Sequence, residues 1–439
     1  MYNIFAQTLT GEVAMSTTII SRKKGSVTLQ IQVEFSNSML KSEEAILKAL
    51  NEAGNIATGE ALKQFDTDGS EIEVEGRKWT SKGHEPKFYQ TPYGEKSVER
   101  HVYQSSKGGH TYCPLEAAAR IVVTSTPRFA KMVSNKYATM PSTRVSQDLS
   151  DNHDRNVARS YLQNLSEAVG QMAQTVESRW SYALPKLSTT VETISIGVDG
   201  ANILLSQEGY REMMVGTIAF YDKEGERLHT IYQASRPEYG KATFWQRMLQ
   251  EIQEVKKRYP KANYVGIADG AKDNWSFLEP HTSTQILDFY HTTGYLEAVA
   301  PAAHPSNPES RQTWLDEQCH KLKHVEQSAV QILTEIKTFR SKKVNKEVNE
   351  KLENAITYFE NHVHQMDYAQ AIRNHLPIGS GVTEAACKTI VKQRLCQSGM
   401  RWKEIGASIV LGLRTLVLTK ERFSQFWNKI NRYGLPQDG

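Results

Sequence analysis

Three carboxylates stand where packing gives no reason for an acid. Asp199 closes the run Ile194-Ser-Ile-Gly-Val-Asp-Gly200, Asp269 closes Tyr264-Val-Gly-Ile-Ala-Asp-Gly270, and Glu384 lies in Gly379-Ser-Gly-Val-Thr-Glu-Ala385. The first two follow short β-branched runs and precede glycine, a pattern that reads as strand followed by turn. Glu384 opens an apolar stretch carrying Lys and Arg at helical spacing, with Thr383 or Ser380 able to cap it. Two strand-end aspartates and one helix glutamate, brought together, would form a single hard oxygen-ligand site suited to Mg²⁺ or Mn²⁺. Three unrelated surface acids are the plainer alternative.

The elements that would bring them together are read from the stretch 191–300. Residues 192–198, 211–221 and 227–233 read as strands, 243–259 as an amphipathic helix through Phe244, Met248, Ile252 and Val255, and a fourth strand ends at Asp269. A helix near 272–277, a strand over 284–287 and a helix from Asp288 follow. This β-β-β-α-β-α-β-α order predicts an α/β, ribonuclease H-like core in which the first and fourth strands are parallel neighbours, so that Asp199 and Asp269 emerge side by side. Asp288 and His291 share one face of a helix start. Asp288 is either the helix N-cap or a member of the site, and His291 either a phosphate donor or a packing residue.

From 301 to 376 no strand signal occurs. Leu315, Cys319, Leu322, Val325, Ala329, Leu333 and Ile336, then Val348, Leu352, Ile356, Phe359 and Val363, recur at spacings of three and four, which predicts a hairpin of two long helices inserted before Glu384. Trp314 opens the first helix and reads either as a base-stacking residue or as a core tryptophan. The core resumes over 377–439, where positive charge dominates through Lys388, Lys392, Arg394, Arg401, Lys403, Arg414, Lys420, Arg422, Lys429 and Arg432. Lys388 and Lys392 follow Glu384 by four and eight residues, which puts them on its helix face as candidates for phosphate neutralisation; a solvated lysine face is the alternative.

Upstream, residues 1–66 read as an α/β cap, 67–113 as a β-hairpin module of short alternating runs, and 114–190 as a helical, helix-turn-helix-like DNA-binding region. In the last of these Arg144, Arg155, Arg159 and Gln163 are candidates for groove contacts, or for the exposed side of a dimerisation helix. At 439 residues the chain predicts more than one domain, and its net charge of +4 is only mildly basic. No run approaches the roughly 18 apolar residues that span a bilayer. Met1 to Ala14 lacks a basic start and an apolar core, so a cytoplasmic protein is expected. Cys113, Cys319, Cys387 and Cys396 form no CxxC pair, which argues against a disulfide framework and a zinc ribbon.

Gly197-Val-Asp-Gly200, Ile267-Ala-Asp-Gly-Ala-Lys-Asp-Asn-Trp275, Ile286-Leu-Asp-Phe-Tyr-His291 and Gly379-Ser-Gly-Val-Thr-Glu-Ala-Ala-Cys-Lys388, continued by Gln393-Arg-Leu and Ser398-Gly-Met-Arg-Trp402, together resemble the DDE transposases of bacterial insertion sequences, most closely the ISKra4-like family. The resemblance spans roughly Pro114 to Trp402. It implies an enzyme that binds the inverted-repeat ends of its element and cleaves and rejoins double-stranded DNA, including target DNA, with two Mg²⁺ (or Mn²⁺) ions. Asp199 would bridge both ions, Asp269 hold one, and Glu384 complete the shell of the other. It further implies a homodimer or larger assembly on DNA and a nucleoid-associated bacterial location. Asp288-Phe-Tyr-His291 is similar to the Cys/Asp-x-x-His signature of Mutator-like and hAT-like enzymes. Many related transposases carry a cysteine zinc ribbon near the N-terminus, and the cysteine pairs for one are missing here. A ribonuclease H-like nuclease or resolvase without strand transfer, and an inactive transposase-derived DNA-binding protein, are the alternatives.

Overall fold

Two sheets of different construction organise the chain in the computed structural model, which describes residues 17–105, 108–236, 238, 241–342 and 344–436. The stretch Met1 to Ala14, read as lacking the features of a secretory signal, lies outside the described residues. The chain divides into two units, one of Met1–Met172 with Trp427–Gly439, the other of Ala173–Phe426. Among the described residues no helix is long and apolar enough to cross a membrane.

The first unit begins with an antiparallel pair, β1 (Thr17–Lys23) and β2 (Ser26–Ile31). Helix α1 (Met39–Lys63) starts at Ser38, whose hydroxyl accepts from the Lys41 N–H. Strands β3 (Ile72–Val74), β4 (Arg77–Gln90), β5 (Glu95–Ser105) and β6 (Thr111–Tyr112) then form an antiparallel sheet in chain order. Leu62, Tyr89, Val98, Leu115, Ala119 and Ile121 make the core beside it. Helices α2 (Pro114–Ala118) and α3 (Pro127–Thr139) both start on proline, whose missing N–H is no loss in a first turn. Helices α4 (Ser142–His153) and α5 (Arg159–Val176) follow. Arg144, Arg159 and Gln163 are exposed. Arg155 corrects the sequence reading. It is only 7% exposed, and its guanidinium donates to Thr91 O and Gln90 Oε1 and lies over the Phe129 ring, so it braces the end of β4 and reaches no groove.

The second unit is a mixed α/β fold on a five-stranded sheet. Its strands are β7 (Thr193–Leu205), β8 (Gly209–Tyr221), β9 (Arg227–Ser235), β10 (Asn263–Ala268) and β11 (Thr284–Leu287), in the order β11-β10-β7-β8-β9. β10 is parallel to both β7 and β11, and β8 is antiparallel to its two neighbours. β7 is buried almost throughout its first half, as a central strand covered on both faces must be. Helix α6 (Ala242–Arg258) packs Phe244, Met248, Ile252 and Val255 against the sheet. Helix α7 (Lys272–Leu278) follows β10, and α8 (Phe289–Ala303) follows β11.

One strand differs from its sequence reading. β7 does not turn after Asp199 but runs on to Leu205, with Asp199 opposite Val215 and Gly200 opposite Met214 of β8. What ends near Asp199 is the pairing with β10, whose last partner on β7 is Gly197. Asp199 is therefore mid-strand on one edge and just past the ladder on the other.

The expected two-helix hairpin is also different. Three helices, α9 (Pro308–His324), α10 (Ser328–Thr338) and α11 (Lys346–His362), fill the interval, with short α12 (Tyr368–Arg373) after them. The periodicity ran through Val325, but that residue is extended and 43% exposed, and Gln327 adopts φ 54°, which breaks the helix there. Trp314, Leu322, Ile332, Ile336, Leu352, Ile356 and Phe359 nonetheless join one core with the sheet. The chain closes with α13 (Gly381–Ala386), a π-helical segment Cys387–Lys392, α14 (Gln393–Leu395), α15 (Glu404–Leu418) and α16 (Arg422–Tyr433).

Candidate active site

The site is built on the ends of two parallel strands. Val265 pairs with Ser195 and Ile267 with Gly197, so two further residues along each strand bring Asp269 and Asp199 to the same level. Asp269 follows β10 immediately and precedes Gly270, whose φ of 105° suits glycine alone. Asp269 Oδ1 accepts from the Ala271 N–H at 3.2 Å and from Asn274 Nδ2 at 3.4 Å; the same amide reaches Val198 O at 3.5 Å. Buried Asn274 thus ties the loop of one aspartate to the strand of the other. Tyr358, from α11, donates its hydroxyl to Asp269 O at 3.0 Å, so the helical insertion also holds this loop.

Glu384 is held over the sheet by its neighbour in sequence. Thr383 is 3% exposed, and its hydroxyl lies 2.7 Å from that of Thr217, the residue opposite Gly197 in the β7–β8 register. A Cβ on Gly197 would overlap Thr383 Oγ1. Glycine two residues before Asp199 is thus what lets α13 approach. Ser380 is the N-cap residue but makes no side-chain cap; its hydroxyl instead donates to Glu384 Oε1 at 3.1 Å. Asp288, 1% exposed, fixes the start of this helix from the other side. One of its carboxylate oxygens accepts from His291 N, capping α8, and the other accepts from Ser380 N, each at 2.5 Å. Asp288 is therefore both N-cap and clasp, while His291 is exposed.

Asp199 is common to two adjoining cavities. One, of about 870 Å³, is lined by Asp199, Glu384, Cys387, Lys388 and Lys392; the other, of about 270 Å³, by Asp199, Asp269, Glu212, Lys241 and Asn274. The structure thus pairs Asp199 with each of the other acids. The three do not close into one compact shell, and among the described residues the only such His/Cys/Asp/Glu group lies in the first unit. Burial pushes the Asp199 carboxyl up, and the charges of Asp269 and Glu212 push the same way, against the hydrogen bonds from Gly200 N–H and Cys387. Cys387 Sγ lies 3.5 Å from Asp199 Oδ2, and burial beside that carboxylate pushes the thiol up, keeping it a donor. The donor set offered to a cation is hard oxygen, and a divalent cation is what crowded carboxylates of this kind accommodate.

Cys387, Asn274, Tyr358 and Glu212 were not singled out in the sequence, and Thr383, read there as a possible cap, instead packs on Thr217. For Cys387 the signal was present, since it sits three residues after Glu384. It opens the π-helical segment, a widened turn that is often found at functional sites. Lys388 and Lys392, exposed on that segment, line the larger cavity.

Two other candidates for nucleic acid are placed elsewhere. Trp314 is 6% exposed, donates to Glu335 Oε1 at 2.7 Å and packs on Phe339, so no base can stack on it. Arg394 is 1% exposed, with its guanidinium over the Trp402 ring. Of the remaining C-terminal cations, Arg414 donates to Thr389 O, and Arg422 forms a bidentate pair with Glu251 at 2.6 and 2.5 Å. The basic bias of this segment is therefore partly internal bracing. Arg401 is exposed. No protein-family model matches the chain, and no curated protein matches it.

Proposed function

We propose that the chain is a DDE-type transposase of the ISKra4-like kind, working through a ribonuclease H-like catalytic fold on double-stranded DNA. The observation that carries this reading is the position of Asp199, which shares one cavity with Glu384 and an adjoining one with Asp269. A carboxylate common to two acid-lined spaces suits a ligand shared by two cations. Asp199, Asp269 and Glu384 would hold the cations, Mg²⁺ or Mn²⁺. Such ions supply Lewis-acid stabilisation of the charge developing on a scissile phosphodiester and make a bound water or 3′-hydroxyl a better nucleophile.

The chain's own residues do the positioning. Lys388 and Lys392 face the larger cavity and bind the phosphates flanking the cut. Asp288 orients the Glu384 helix, and Tyr358 and Asn274 hold the Asp269 loop. Recognition of the element ends is assigned to the helix-turn-helix-like region, through the exposed Arg144, Arg159 and Gln163. Because two ends must be joined, the working form is a dimer or larger.

The test is incubation of the full chain with duplex DNA carrying its element ends and Mg²⁺. Nicked and joined products are expected. Asp199→Asn should retain end binding while cleavage falls by at least about 10³-fold, the loss of several kcal/mol of charge stabilisation. Unchanged cleavage by the variant removes the assignment, and cleavage without joined products selects the nuclease reading.

A further inference from the structure

Asp66, His84 and His101, all in the first unit, place three ligand atoms within 4.8 Å of one another. The arrangement comes from strand register. His84 and His101 are direct partners across β4 and β5, and the register shifts between Ser81 and His84, where Gly83 takes φ 105°. A bulge re-aims the side chain that follows it. Here it turns the His84 ring onto the His101 ring, with centroids 3.8 Å apart. Asp66 comes from the connection between α1 and β3, and the His101 backbone N–H donates to both of its carboxylate oxygens at 3.2 Å.

The contacts converge on lone-pair atoms. His101 Nδ1 lies 3.1 Å from His84 Nε2 and 3.2 Å from Asp66 Oδ2, and His84 Nε2 lies 3.9 Å from the same oxygen. One proton on His101 Nδ1 cannot point at both neighbours. A metal ion can serve all three. Zinc–ligand bonds of about 2.0–2.2 Å in a tetrahedron set ligand atoms roughly 3.3–3.6 Å apart, a spacing these atoms approach without rearrangement of the strands. Two imidazoles and one carboxylate are also a ligand set that zinc favours. Gly69, with φ 82°, faces His101 Nε2 so closely that a Cβ there would lie 2.7 Å from it, so the connection is shaped around the ring. Asp66 and His101 side chains are 11% and 13% exposed, whereas His84 is 56% exposed and leaves the cluster open to solvent on its side.

We infer that Asp66, His84 and His101 form a zinc site that clips the α1–β3 connection to the bulge of β4. Three protein ligands leave the fourth position to water on the open His84 side, and because the ion would bind the folded state alone it would add to stability. The site does not depend on the catalytic reading of the acids.

The test uses the full chain carrying Asp199→Asn and Glu384→Gln, so that the acid site does not compete. Co²⁺ is titrated as the coloured probe and then displaced with Zn²⁺. One equivalent of Co²⁺ is expected to give visible ligand-field absorption that Zn²⁺ abolishes, and Zn²⁺ should raise Tm by several degrees. Adding His84→Ala, an exposed change, should weaken Co²⁺ binding at least about tenfold and remove the Zn²⁺ shift, while leaving the metal-free Tm in place. Absence of stoichiometric Co²⁺ binding, or binding that survives His84→Ala, overturns the inference.

Discussion

The two sheets gather polar side chains in opposite ways. In the five-stranded sheet the acids sit where the β7–β10 ladder ends and where a helix begins, and each is marked by its immediate neighbours in sequence. In the four-stranded sheet His84 and His101 meet in mid-strand, brought together by pairing and a bulge across 17 positions. The first cluster collects like charges and pushes Asp199 up; the second collects groups that can share a proton or a cation. The difference separates a site that local text can announce from one that only register creates. It also separates a site the fold must hold against repulsion from one that helps hold the fold.

The largest effect that tests this contrast is expected at Gly197. Its missing Cβ is the space into which Thr383 packs, so Gly197→Ala forces the Glu384 helix to shift. Overpacking of this kind costs about 1–3 kcal/mol, and a displacement of roughly 1 Å at a catalytic group costs about 10²-fold in rate. Mg²⁺-dependent cleavage should fall by that factor, with Co²⁺ binding at His84 and His101 unchanged. Thr383→Ala in the same chain removes the obstructing hydroxyl and should recover part of the lost stability, measured as a double-mutant cycle. If Gly197→Ala cleaves normally, the close approach of α13 is not what sets Glu384.

The same contrast explains what was legible beforehand. Strand-end aspartate followed by glycine is a local signal, and Asp269 follows β10 as read. Asp288 caps α8 for a different local reason, a short acceptor side chain just before the first helical residue. The Asp-Gly pair at Asp199 reads as a turn, whereas the pairing with β8 carries the strand through it. Periodicity found the insertion's core residues but could not see the break at Gln327, since a single left-handed residue leaves no hydrophobic signature. Arg155, Arg394 and Trp314 were read from side-chain type, and burial decides what such side chains reach: each is spent on an internal partner. The histidine pair was invisible because nothing in either strand names its partner.

A moderate effect is expected at Lys388 and Lys392, the cations that do line the acid site. Each phosphate contact contributes about 0.9 to the slope of log K against log salt on duplex DNA. Lys388→Ala and Lys392→Ala should each lower the slope by about 1 and weaken binding of all sequences alike, measured by fluorescence anisotropy across a salt series. Arg394→Ala, by contrast, removes a buried brace beside Trp402 and should show first as lost stability. A slope that responds to Arg394 and ignores both lysines would reverse the placement of DNA.

The smallest effect tests the claim that the fold works against the acid site. Burial, with Asp269 and Glu212 nearby, raises Asp199 above the ordinary aspartate value of about 3.9, so the folded protein keeps a proton that the unfolded chain has released. This group's contribution to stability is then fully present below about pH 3.9 and is lost as pH rises through the raised value, after which it stays flat. In the absence of divalent cations, chemical denaturation across a pH series rising from about pH 4 should therefore show wild type losing stability relative to Asp199→Asn. Adding Mg²⁺ should cancel the difference in wild type and leave the variant unmoved, because the cation binds the carboxylate form and binds only the folded state. A wild type that gains on the variant as pH rises would mean that the Gly200 and Cys387 donors outweigh the repulsion, and the two clusters would then differ in position but not in kind.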